Sequence, residues 1–281
     1  MSEAGRSIGQ ALREGIDALR ASSASARLDA ELLLAEVLGV GRSHLFAFPE
    51  RPVPTATIDA YRNLLTRRAA GEPAAYLLRR CEFRDLSLTV TPAVLVPRPE
   101  TEHLVEQALA CLPAGGSLLE LGTGSGAIAL AVASERPDAR ITATERSEAA
   151  LAVARENRQR LGLTSVELIA GDWDEGVPAG PFQVIASNPP YVETTAPEWT
   201  NGGLGHEPRE ALAAGCDGLA AIRSLLAPAA GELARGGWLM LEHGAAQGEA
   251  VRGLFAAAGL EQVRTERDLA GLERLTLGRR P

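Results

Sequence analysis

The second half of the chain alternates short apolar runs with helical segments, and this alternation constrains the fold more than any other feature. Short apolar runs bounded by turn signals are typical of buried strands. Strands that alternate with helices pair in parallel, because each parallel return needs a crossover. The sequence therefore predicts a parallel, doubly wound α/β sheet. Its strands are expected at 117–121, 140–144, 165–170, 182–187 and 237–242, with two late strands near 262–266 and 274–278.

A glycine-rich segment follows the first of these strands. Residues 117–121 run into Gly122-Thr123-Gly124-Ser125-Gly126, and residues 127–133 read as a helix. Glycines let a backbone approach a ligand, and the free N–H groups of a helix N-terminus then face it. The segment also satisfies the dinucleotide-binding fingerprint, and Glu145 follows where a ribose-binding acid belongs. The loop alone leaves a nicotinamide or flavin enzyme and an S-adenosylmethionine enzyme equally open.

A second loop, Asn188-Pro189-Pro190-Tyr191, separates these two classes. Because proline cannot donate a backbone hydrogen bond, two in succession end the strand at 182–187. The loop presents an amide side chain, two inward-facing carbonyls and an aromatic ring, which together suit a flat group carrying an NH2. Methyl transfer to an amino or amide nitrogen requires such a grip, and a dehydrogenase does not. The loop therefore favours an S-adenosylmethionine-dependent methyltransferase.

Four candidate site residues follow the ends of different predicted strands: Gly122, Glu145, Asp172 and Asn188. Ligands of doubly wound sheets bind at the carboxyl ends of the strands. We therefore expect these four residues to converge on one crevice. Purely structural roles remain open as well: a strand-end charge for Glu145, a turn residue for Asp172 and a core side chain for Trp173.

The first 75 residues read as a small helical bundle. Apolar residues recur at helical spacing from Ile8 to Leu19 and from Leu28 to Leu38. A third helical segment, 55–70, is ended by Gly71-Glu72-Pro73. The bundle carries no catalytic-looking residues, so its role is either packing or recognition of a partner.

The stretch at 82–96 changes to a strand period and is predicted to form a β-hairpin. The expected turn is Thr91-Pro92-Ala93, and the expected returning strand is 94–96. The chain is thus divided into a helical domain, a hairpin linker and a methyltransferase domain, at residues 1–80, 81–97 and 98–281.

Composition argues against several function classes. No apolar run of about 18 residues appears and the N-terminus lacks the apolar core of a secretory signal, so we expect no membrane association. The net charge of −8 opposes a general nucleic-acid binder. The three cysteines are widely spaced and the four histidines lack ligand spacing. We therefore expect inert thiols, no metal and a reducing cytoplasm.

These motifs together resemble the protein-(glutamine-N5) methyltransferases of the HemK/PrmC type, which modify peptide-chain release factors. The resemblance covers nearly the whole chain. Its main segments are Gly71-Glu72-Pro73, Pro97-Arg98-Pro99-Glu100-Thr101-Glu102, Leu121-Gly122-Thr123-Gly124-Ser125-Gly126, Asp172-Trp173, Asn188-Pro189-Pro190-Tyr191-Val192 and Glu207-Pro208. Two departures lie near the site, since Glu120 and Glu145 stand where many relatives have aspartate.

The resemblance implies a class I, Rossmann-like methyltransferase domain preceded by the helical bundle and the hairpin. It implies methyl transfer from S-adenosyl-L-methionine to the glutamine N5 of the Gly-Gly-Gln loop in class-I release factors, with S-adenosyl-L-homocysteine as product. The helical domain would recognise the factor, and we expect a monomer that binds neither nucleic acid nor membrane. Two alternatives stay open: an amino methyltransferase acting on adenine or guanine in a flipped base, and a binding module without turnover.

The implied site residues fall into three overlapping groups. Those assigned to the cofactor are Gly122, Thr123, Gly124, Ser125, Gly126, Glu145, Asp172, Trp173 and Asn188. Those assigned to the substrate are Asn188, Pro189, Pro190 and Tyr191. Within the second group, Asn188, Pro189 and Tyr191 are the catalytic residues. We hypothesise that the Asn188 side-chain oxygen and the Pro189 carbonyl each accept one N–H of the target amide, while Tyr191 packs against the amide plane.

Two further segments are predicted to flank the site. Arg98, Glu100 and Glu102 either line its entry or, for Glu100 and Thr101, cap the following helix. Residues 193–206 are polar and rich in glycine, which is typical of a loop that covers a site. Glu207 and Arg209 are expected to order that loop.

Overall fold

A computed structural model describes residues 6–173, 178–199 and 204–281. The chain divides into two compact units. The first comprises the described residues of Met1–Arg79 and Glu198–His206, and the second those of Arg80–Pro197 and Glu207–Pro281.

The first unit is helical, and within its described residues it contains five helices. They are α1 (Ile8–Leu19), α2 (Ala26–Leu38), α3 (Arg42–Ala47), α4 (Thr55–Ala69) and α5 (Ala74–Leu78). The three predicted helices are therefore confirmed, and α3 and α5 are short additions. The start of α1 is set by a capping box, because the Ser7 side chain accepts the Gln10 N–H and the Gln10 side chain accepts the Ser7 N–H. Apolar residues such as Leu19, Leu34 and Tyr61 form the core of this unit.

The second unit is built on strands and helices that alternate as predicted. Its strands are β1 (Arg80–Phe83), β2 (Leu86–Thr89), β3 (Ser117–Leu121), β4 (Arg140–Glu145), β5 (Glu167–Ala170), β6 (Phe182–Ser187), β7 (Leu233–Glu242), β8 (Glu261–Arg267) and β9 (Glu273–Arg279). Its helices are α6 (Thr101–Cys111), α7 (Ala127–Glu135), α8 (Glu148–Arg160), α9 (Ala220–Glu232) and α10 (Gly248–Ala257). These elements lie within the described residues.

Within the described residues, seven strands form the main sheet in the order β5-β4-β3-β6-β7-β9-β8. The first five pair in parallel, and β9 is antiparallel to both β7 and β8. The prediction of a parallel, doubly wound sheet thus holds up to β7. Strand β9 departs from the predicted parallel pairing because only residues 268–272 separate it from β8. A connection of this length allows an antiparallel hairpin but no parallel crossover.

Both faces of the sheet are covered, which explains why its central strands are continuous apolar runs. Along β3, Leu118 packs in the cluster that contains α6 and α7, while Leu119 and Leu121 pack in the cluster that contains α9 and α10. All five residues of β3 are buried. The alternation of side chains across a strand distributes neighbouring leucines between the two layers.

The hairpin differs from its prediction. Strands β1 and β2 pair antiparallel, and the hairpin turns at Arg84 and Asp85. The turn predicted at 91–93 is present, with the Val94 N–H donating to the Thr91 carbonyl at 3.0 Å, but it does not join two strands. The returning strand expected at 94–96 is wrong, because these residues form no strand. Arg84 takes the left-handed conformation, with φ of 50°. This is a turn position usually held by glycine, so the sequence carried no turn signal there.

Candidate active site

The strand order places a crevice at the carboxyl ends of β3, β4 and β6. The chain runs from β3 to β4 on one side and reaches β6 on the other, and such a switch point is where doubly wound sheets bind ligands. The empty volume of this crevice is about 880 Å³. Nine of the predicted site residues line it: Gly122, Thr123, Gly124, Ser125, Glu145, Asp172, Trp173, Asn188 and Pro190. The expected convergence of the strand-end residues is therefore observed.

The glycine-rich loop is tied to the neighbouring strand. The backbone N–H groups of Gly122 and Thr123 both donate to the Thr144 carbonyl, at 3.0 and 2.9 Å. Gly122 has a φ of 73°, and a Cβ at this position would lie 3.3 Å from the Trp173 ring. Glycine is required here because the backbone is left-handed and the indole lies against it.

Gly126 is the one predicted cofactor glycine that does not line the crevice. It precedes α7 with a φ of 87°, and an added Cβ would lie 2.8 Å from Leu130 Cδ1. The need for glycine at this position is therefore explained by the packing at the start of α7.

Glu145 connects the glycine-rich loop to the start of α8. One carboxylate oxygen accepts the Gly124 N–H at 2.9 Å, and the other accepts the Ser147 N–H at 2.9 Å. A carboxylate oxygen has more than one acceptor site, so each can accept a further hydrogen bond. Glu145 thus combines a structural role with the capacity to bind two neighbouring hydroxyl groups.

Asp172 and Trp173 form one wall of the crevice. The Asp172 carboxylate accepts the Trp173 N–H at 2.8 Å and lies 3.5 Å from an Arg146 guanidinium nitrogen. The Arg146 guanidinium also lies 5.8 Å from the centroid of the indole. The Asp172 side chain thus holds the backbone of its neighbour, and the half-buried Trp173 contacts the apolar core while its ring still faces the crevice.

Asn188 is held by a hydrogen bond from its amide nitrogen to a threonine of the crevice wall. Its Nδ2 donates to the Thr101 hydroxyl oxygen at 3.2 Å. Its Oδ1 is buried and has no hydrogen-bond partner among the described residues. The preceding Ser187 donates to the Leu121 carbonyl at 2.6 Å, which fastens the end of β6 to the end of β3. A free acceptor therefore stands beside the glycine-rich loop.

Pro189 and Tyr191 do not line the crevice. Pro189 is buried, and the Tyr191 hydroxyl donates to Glu242 Oε1 at 3.4 Å. Burial raises the pKa of Tyr191, and the charge of Glu242 raises it further. Their roles toward a substrate stay predictions.

Two buried residues near the site are absent from the predicted site residues, although Glu120 already stands out in the sequence as a departure from the family pattern. Glu120 lies in β3, is 1% exposed and lines the crevice, and burial raises its pKa to about 8. A glutamate inside an apolar strand was the signal that could have revealed it. Asn157, in α8, donates to the carbonyls of Thr89 and Ser125 at 2.9 Å each. It links the hairpin to the glycine-rich loop, and no local pattern indicates this.

The segment after the predicted covering loop is anchored by a buried carboxylate. Glu207 accepts the Val96 N–H at 3.1 Å and also a hydrogen bond from the Arg98 guanidinium. Pro97 and Pro208 line the crevice beside these contacts. Residues 200–203 of the predicted covering loop lie outside the described residues.

The side chains at the start of α6 do not form a conventional helix cap. Glu100 stands at the N-cap position without a side-chain capping bond. Thr101 instead holds Asn188, and Glu102 Oε1 accepts the Arg84 N–H at 3.2 Å. The alternative that Glu100 and Thr101 cap the helix with their side chains is therefore wrong. The Glu100 side chain makes no capping bond, and the Thr101 hydroxyl is bonded to Asn188 instead.

No cluster of three or more histidine, cysteine, aspartate or glutamate side chains suited to a metal occurs among the described residues. In the same part of the chain, no helix is long and apolar enough to cross a membrane.

The fold and the crevice define a class I, Rossmann-like methyltransferase. A methyltransferase from Pyrococcus furiosus, known from its crystal structure, matches with a TM-score of 0.52 and 24% identity, covering 77% of this chain and 97% of that chain. This likeness shows the fold alone. The predicted fold class is confirmed.

Sequence comparisons identify the family. Residues 10–78 match the PrmC N-terminal domain, and residues 100–202 match the methyltransferase small domain. The release factor glutamine methyltransferase of Escherichia coli is 46% identical over 269 residues, which is 95% of this chain and 97% of the relative. That of Pseudomonas aeruginosa is 48% identical over 257 residues, or 91% and 93%. The chain belongs to the family of release factor glutamine methyltransferases, which confirms the predicted enzyme class and its S-adenosylmethionine cofactor.

Proposed function

We propose that this chain methylates the side-chain amide nitrogen, N5, of the glutamine in the Gly-Gly-Gln motif of class-I peptide chain release factors. The observation that carries the proposal is the buried Asn188 Oδ1, which has no partner among the described residues. Leaving such an acceptor unpaired costs about 1–3 kcal/mol. The cost is recovered if the substrate supplies the donor, and the names of the relatives support a glutamine amide as that donor.

The chain's own residues act mainly by orienting the amide. An amide nitrogen is a poor nucleophile because its lone pair is delocalised into the carbonyl. Asn188 Oδ1 and the Pro189 carbonyl would each accept a hydrogen bond from one N–H of this amide. The nitrogen lone pair would then point toward the methyl donor, with Tyr191 packed on the amide plane. Such alignment supplies about 7–11 kcal/mol in favourable systems. As the N–C bond formed, the S–CH3 bond of the donor would break and leave S-adenosylhomocysteine, and one N5 proton would pass to solvent. We assign no general base.

The residues of the crevice fit the cofactor. Its lining combines the left-handed glycine backbone of Gly122 and Gly124, the Glu145 carboxylate and the Trp173 ring, and these groups can meet a ligand with charged, hydroxyl and aromatic parts. The glycine-rich loop would pass the methionine portion, Glu145 would hold the ribose hydroxyls, and Asp172 with Trp173 would border the adenine. Bound there, S-adenosylmethionine supplies an electrophilic methyl group.

The remaining predictions extend this proposal. The helical domain at 1–80 would recognise the release factor, with the hairpin at 81–97 as linker and the methyltransferase domain at 98–281. Because the substrate is a translation factor, the enzyme would act in the cytoplasm, as a monomer and without binding nucleic acid directly. The net charge of −8 supports the last point against an amino methyltransferase that flips a base.

The test is a methyl-transfer assay with labelled S-adenosylmethionine, in which a purified class-I release factor is offered beside bulk RNA and DNA. Mass spectrometry locates the label. We expect it on the Gly-Gly-Gln glutamine, and we expect it to disappear when that glutamine is replaced. Label on nucleic acid alone would overturn the proposal.

A variant of Asn188 tests the grip itself. Asn188→Ala removes the acceptor, and we expect kcat to fall about 100-fold or more while the Kd for S-adenosylmethionine changes less than about twofold. The control is Gln159→Ala, which removes an amide at an exposed position of α8, with kcat unchanged. Equal losses of turnover and donor affinity for Asn188→Ala would contradict the assigned role.

A further inference from the structure

One glutamine side chain holds the far end of the substrate loop (Asn188–Tyr191). The Gln247 Nε2 donates to the Tyr191 carbonyl at 3.1 Å. Gln247 stands at the N-cap position of α10, after the turn that follows β7. Because β6 and β7 are parallel neighbours in the sheet, their carboxyl ends lie at the same edge. The turn after β7 is thereby brought beside the loop after β6.

The other contacts of Gln247 fix the orientation of its amide. Its Oε1 accepts the Gly244 N–H at 2.8 Å, and a backbone N–H can only donate, so the amide oxygen must face Gly244. The Nε2 is then directed at two acceptors, the carbonyls of Tyr191 at 3.1 Å and Asp217 at 3.4 Å. The opposite orientation would place an oxygen against these two oxygens. The Gln247 amide therefore joins three segments in one defined orientation.

Gly218 leaves free the space that this hydrogen bond occupies. Its φ is 69°, and an added Cβ would overlap the Tyr191 carbonyl oxygen and lie 2.5 Å from Gln247 Nε2. Glycine is thus required here by the left-handed backbone and also by the close approach of the hydrogen-bonded pair.

The substrate loop has few other ways to fix its backbone. Pro189 and Pro190 lack an N–H, so neither can donate a backbone hydrogen bond. The near end of the loop is fastened to β3 and α6 through two side chains. At the far end the backbone is held by Gln247 and, one residue later, by the Val192 N–H, which donates to the Leu212 carbonyl at 2.8 Å. The Pro189 carbonyl lies between these ends, and its position depends on both.

We propose that Gln247 is a positioning residue for methyl transfer, which holds the Tyr191 carbonyl and thereby keeps the two acceptors of the substrate loop aligned on the target amide. The inference rests on the proposed function. Gln247 does not line the crevice, so it is assigned no contact with the substrate or the cofactor. A displacement of reacting groups by about 1 Å can cost about 100-fold in rate. Loss of this contact should therefore lower kcat and spare the affinity for both ligands.

Two substitutions separate this role from a merely structural role in the turn at Gly244. Gln247→Met keeps the length of the side chain and removes all of its hydrogen bonds. Gln247→Glu keeps the oxygen that accepts the Gly244 N–H and replaces the donor by a second oxygen. With a class-I release factor as substrate at pH 8, well above the ordinary glutamate pKa of about 4.3, we expect kcat to fall at least about tenfold in both variants. The KM for the release factor and the Kd for S-adenosylmethionine should stay within about twofold.

Several results would overturn the inference. One is wild-type kcat in Gln247→Met. Another is wild-type kcat in Gln247→Glu beside a loss in Gln247→Met, because the bond to Gly244 would then be the one that matters. Changes of KM or Kd as large as the change of kcat would also overturn it. A wild-type enzyme that leaves the release factor unmethylated would instead refute the proposed function, which is a different result from all of these.

The matched control is Gln183→Met. Gln183 lies at the start of β6, at the opposite end of the strand from the substrate loop. Its Oε1 accepts the Ser117 N–H at 2.6 Å and the Ser117 hydroxyl at 2.8 Å. Like Gln247 it is half-buried and joins two segments through its amide, so its replacement should lower the Tm and leave kcat within about twofold. A loss of kcat equal to that of Gln247→Met would overturn the proposal.

A second variant reaches the same hydrogen bond from another segment. Gly218→Ala places a Cβ against both the Tyr191 carbonyl and Gln247 Nε2, and it should lower kcat at least about tenfold with both affinities kept. Gly162→Ala is its control, because Gly162 has a φ of 71° but open space around it, and its kcat should be unchanged. Wild-type kcat in Gly218→Ala, or equal losses in the two glycine variants, would overturn the assignment of Gln247.

Discussion

Replacement of Glu120 by glutamine should stabilise the enzyme, and increasingly so as the pH rises. The Glu120 carboxylate is fully buried in β3, where Oε2 accepts the Thr123 hydroxyl at 2.6 Å and the Ala129 N–H at 2.9 Å. Burial raises its pKa from 4.5 to about 8, these two bonds oppose the rise, and the charge of Glu145 adds to it. A glutamine oxygen can accept the same two bonds without carrying a charge.

The sign and size of the effect follow from proton linkage. A carboxyl group whose pKa is raised on folding binds more protons in the folded state, so its contribution to stability is lost as the pH rises from the unfolded toward the folded pKa. Each pH unit in that interval is worth about 1.4 kcal/mol. Between pH 5.5 and 8.5 the free energy of unfolding should therefore fall by about 3 kcal/mol more for the wild type than for Glu120→Gln.

The assay is urea unfolding at both pH values, followed by tryptophan fluorescence. Two of the three tryptophans, Trp173 and Trp238, lie in the second unit. The comparison of slopes with pH cancels any constant cost of the buried amide. Glu167→Gln is the control, since this residue of β5 is exposed and should change stability by less than about 0.5 kcal/mol. Parallel pH profiles for the wild type and Glu120→Gln would refute the reasoning.

Two substitutions of glycine give further predictions. Gly122→Ala should weaken S-adenosylmethionine binding at least about tenfold by calorimetry, because the new Cβ lies 3.3 Å from Trp173 at a φ of 73°. Gly162→Ala is the control, because Gly162 has a φ of 71° but open space around it, so the substitution should lower only the stability, by about 1 kcal/mol. Equal losses of S-adenosylmethionine affinity in the two variants would contradict the argument. Gly15→Ala places a Cβ 1.9 Å from the Tyr61 hydroxyl oxygen and should destabilise the helical unit by about 1–3 kcal/mol, so an unchanged Tm would count against it.

The fold was predictable where burial on two faces leaves an unmistakable pattern. The strands at 117–121 and 182–187 have the predicted bounds because both are mostly apolar, and the first is followed by Gly122 and the second by Asn188 and two prolines. The hairpin turn was not predictable, because Arg84 adopts a left-handed conformation without any glycine. The antiparallel direction of β9 follows from the short connection before it, and the predicted strands near 262–266 and 274–278 already leave too few residues for a parallel crossover.

The candidate site was predictable to the extent that topology defines it. Asn188 and Glu145 could be placed together because each follows a strand end. Asn157, Thr101 and Glu242 could not, since their contacts join atoms of distant segments: Asn157 accepts the Thr89 N–H at 2.7 Å across 68 positions of sequence. The sequence shows which residues end strands, but not which hydrogen bonds orient them.

The arrangement of acceptors at the strand ends bears on the choice between nitrogen and oxygen as the methylated atom. Strand β6 lies between β3 and β7, so Asn188 emerges between the strands that carry Glu120 and Glu242. Burial raises the pKa values of both carboxyl groups, to about 8 and about 7, so the ionisation of either one lowers the stability of the fold. The Asn188 oxygen adds an unpaired acceptor. A neutral NH2 group supplies two donors from one atom, whereas a hydroxyl supplies one. The two acceptors proposed for the substrate, the Asn188 oxygen and the Pro189 carbonyl, therefore favour an amide or amino nitrogen, because a hydroxyl substrate would leave one of them unpaired.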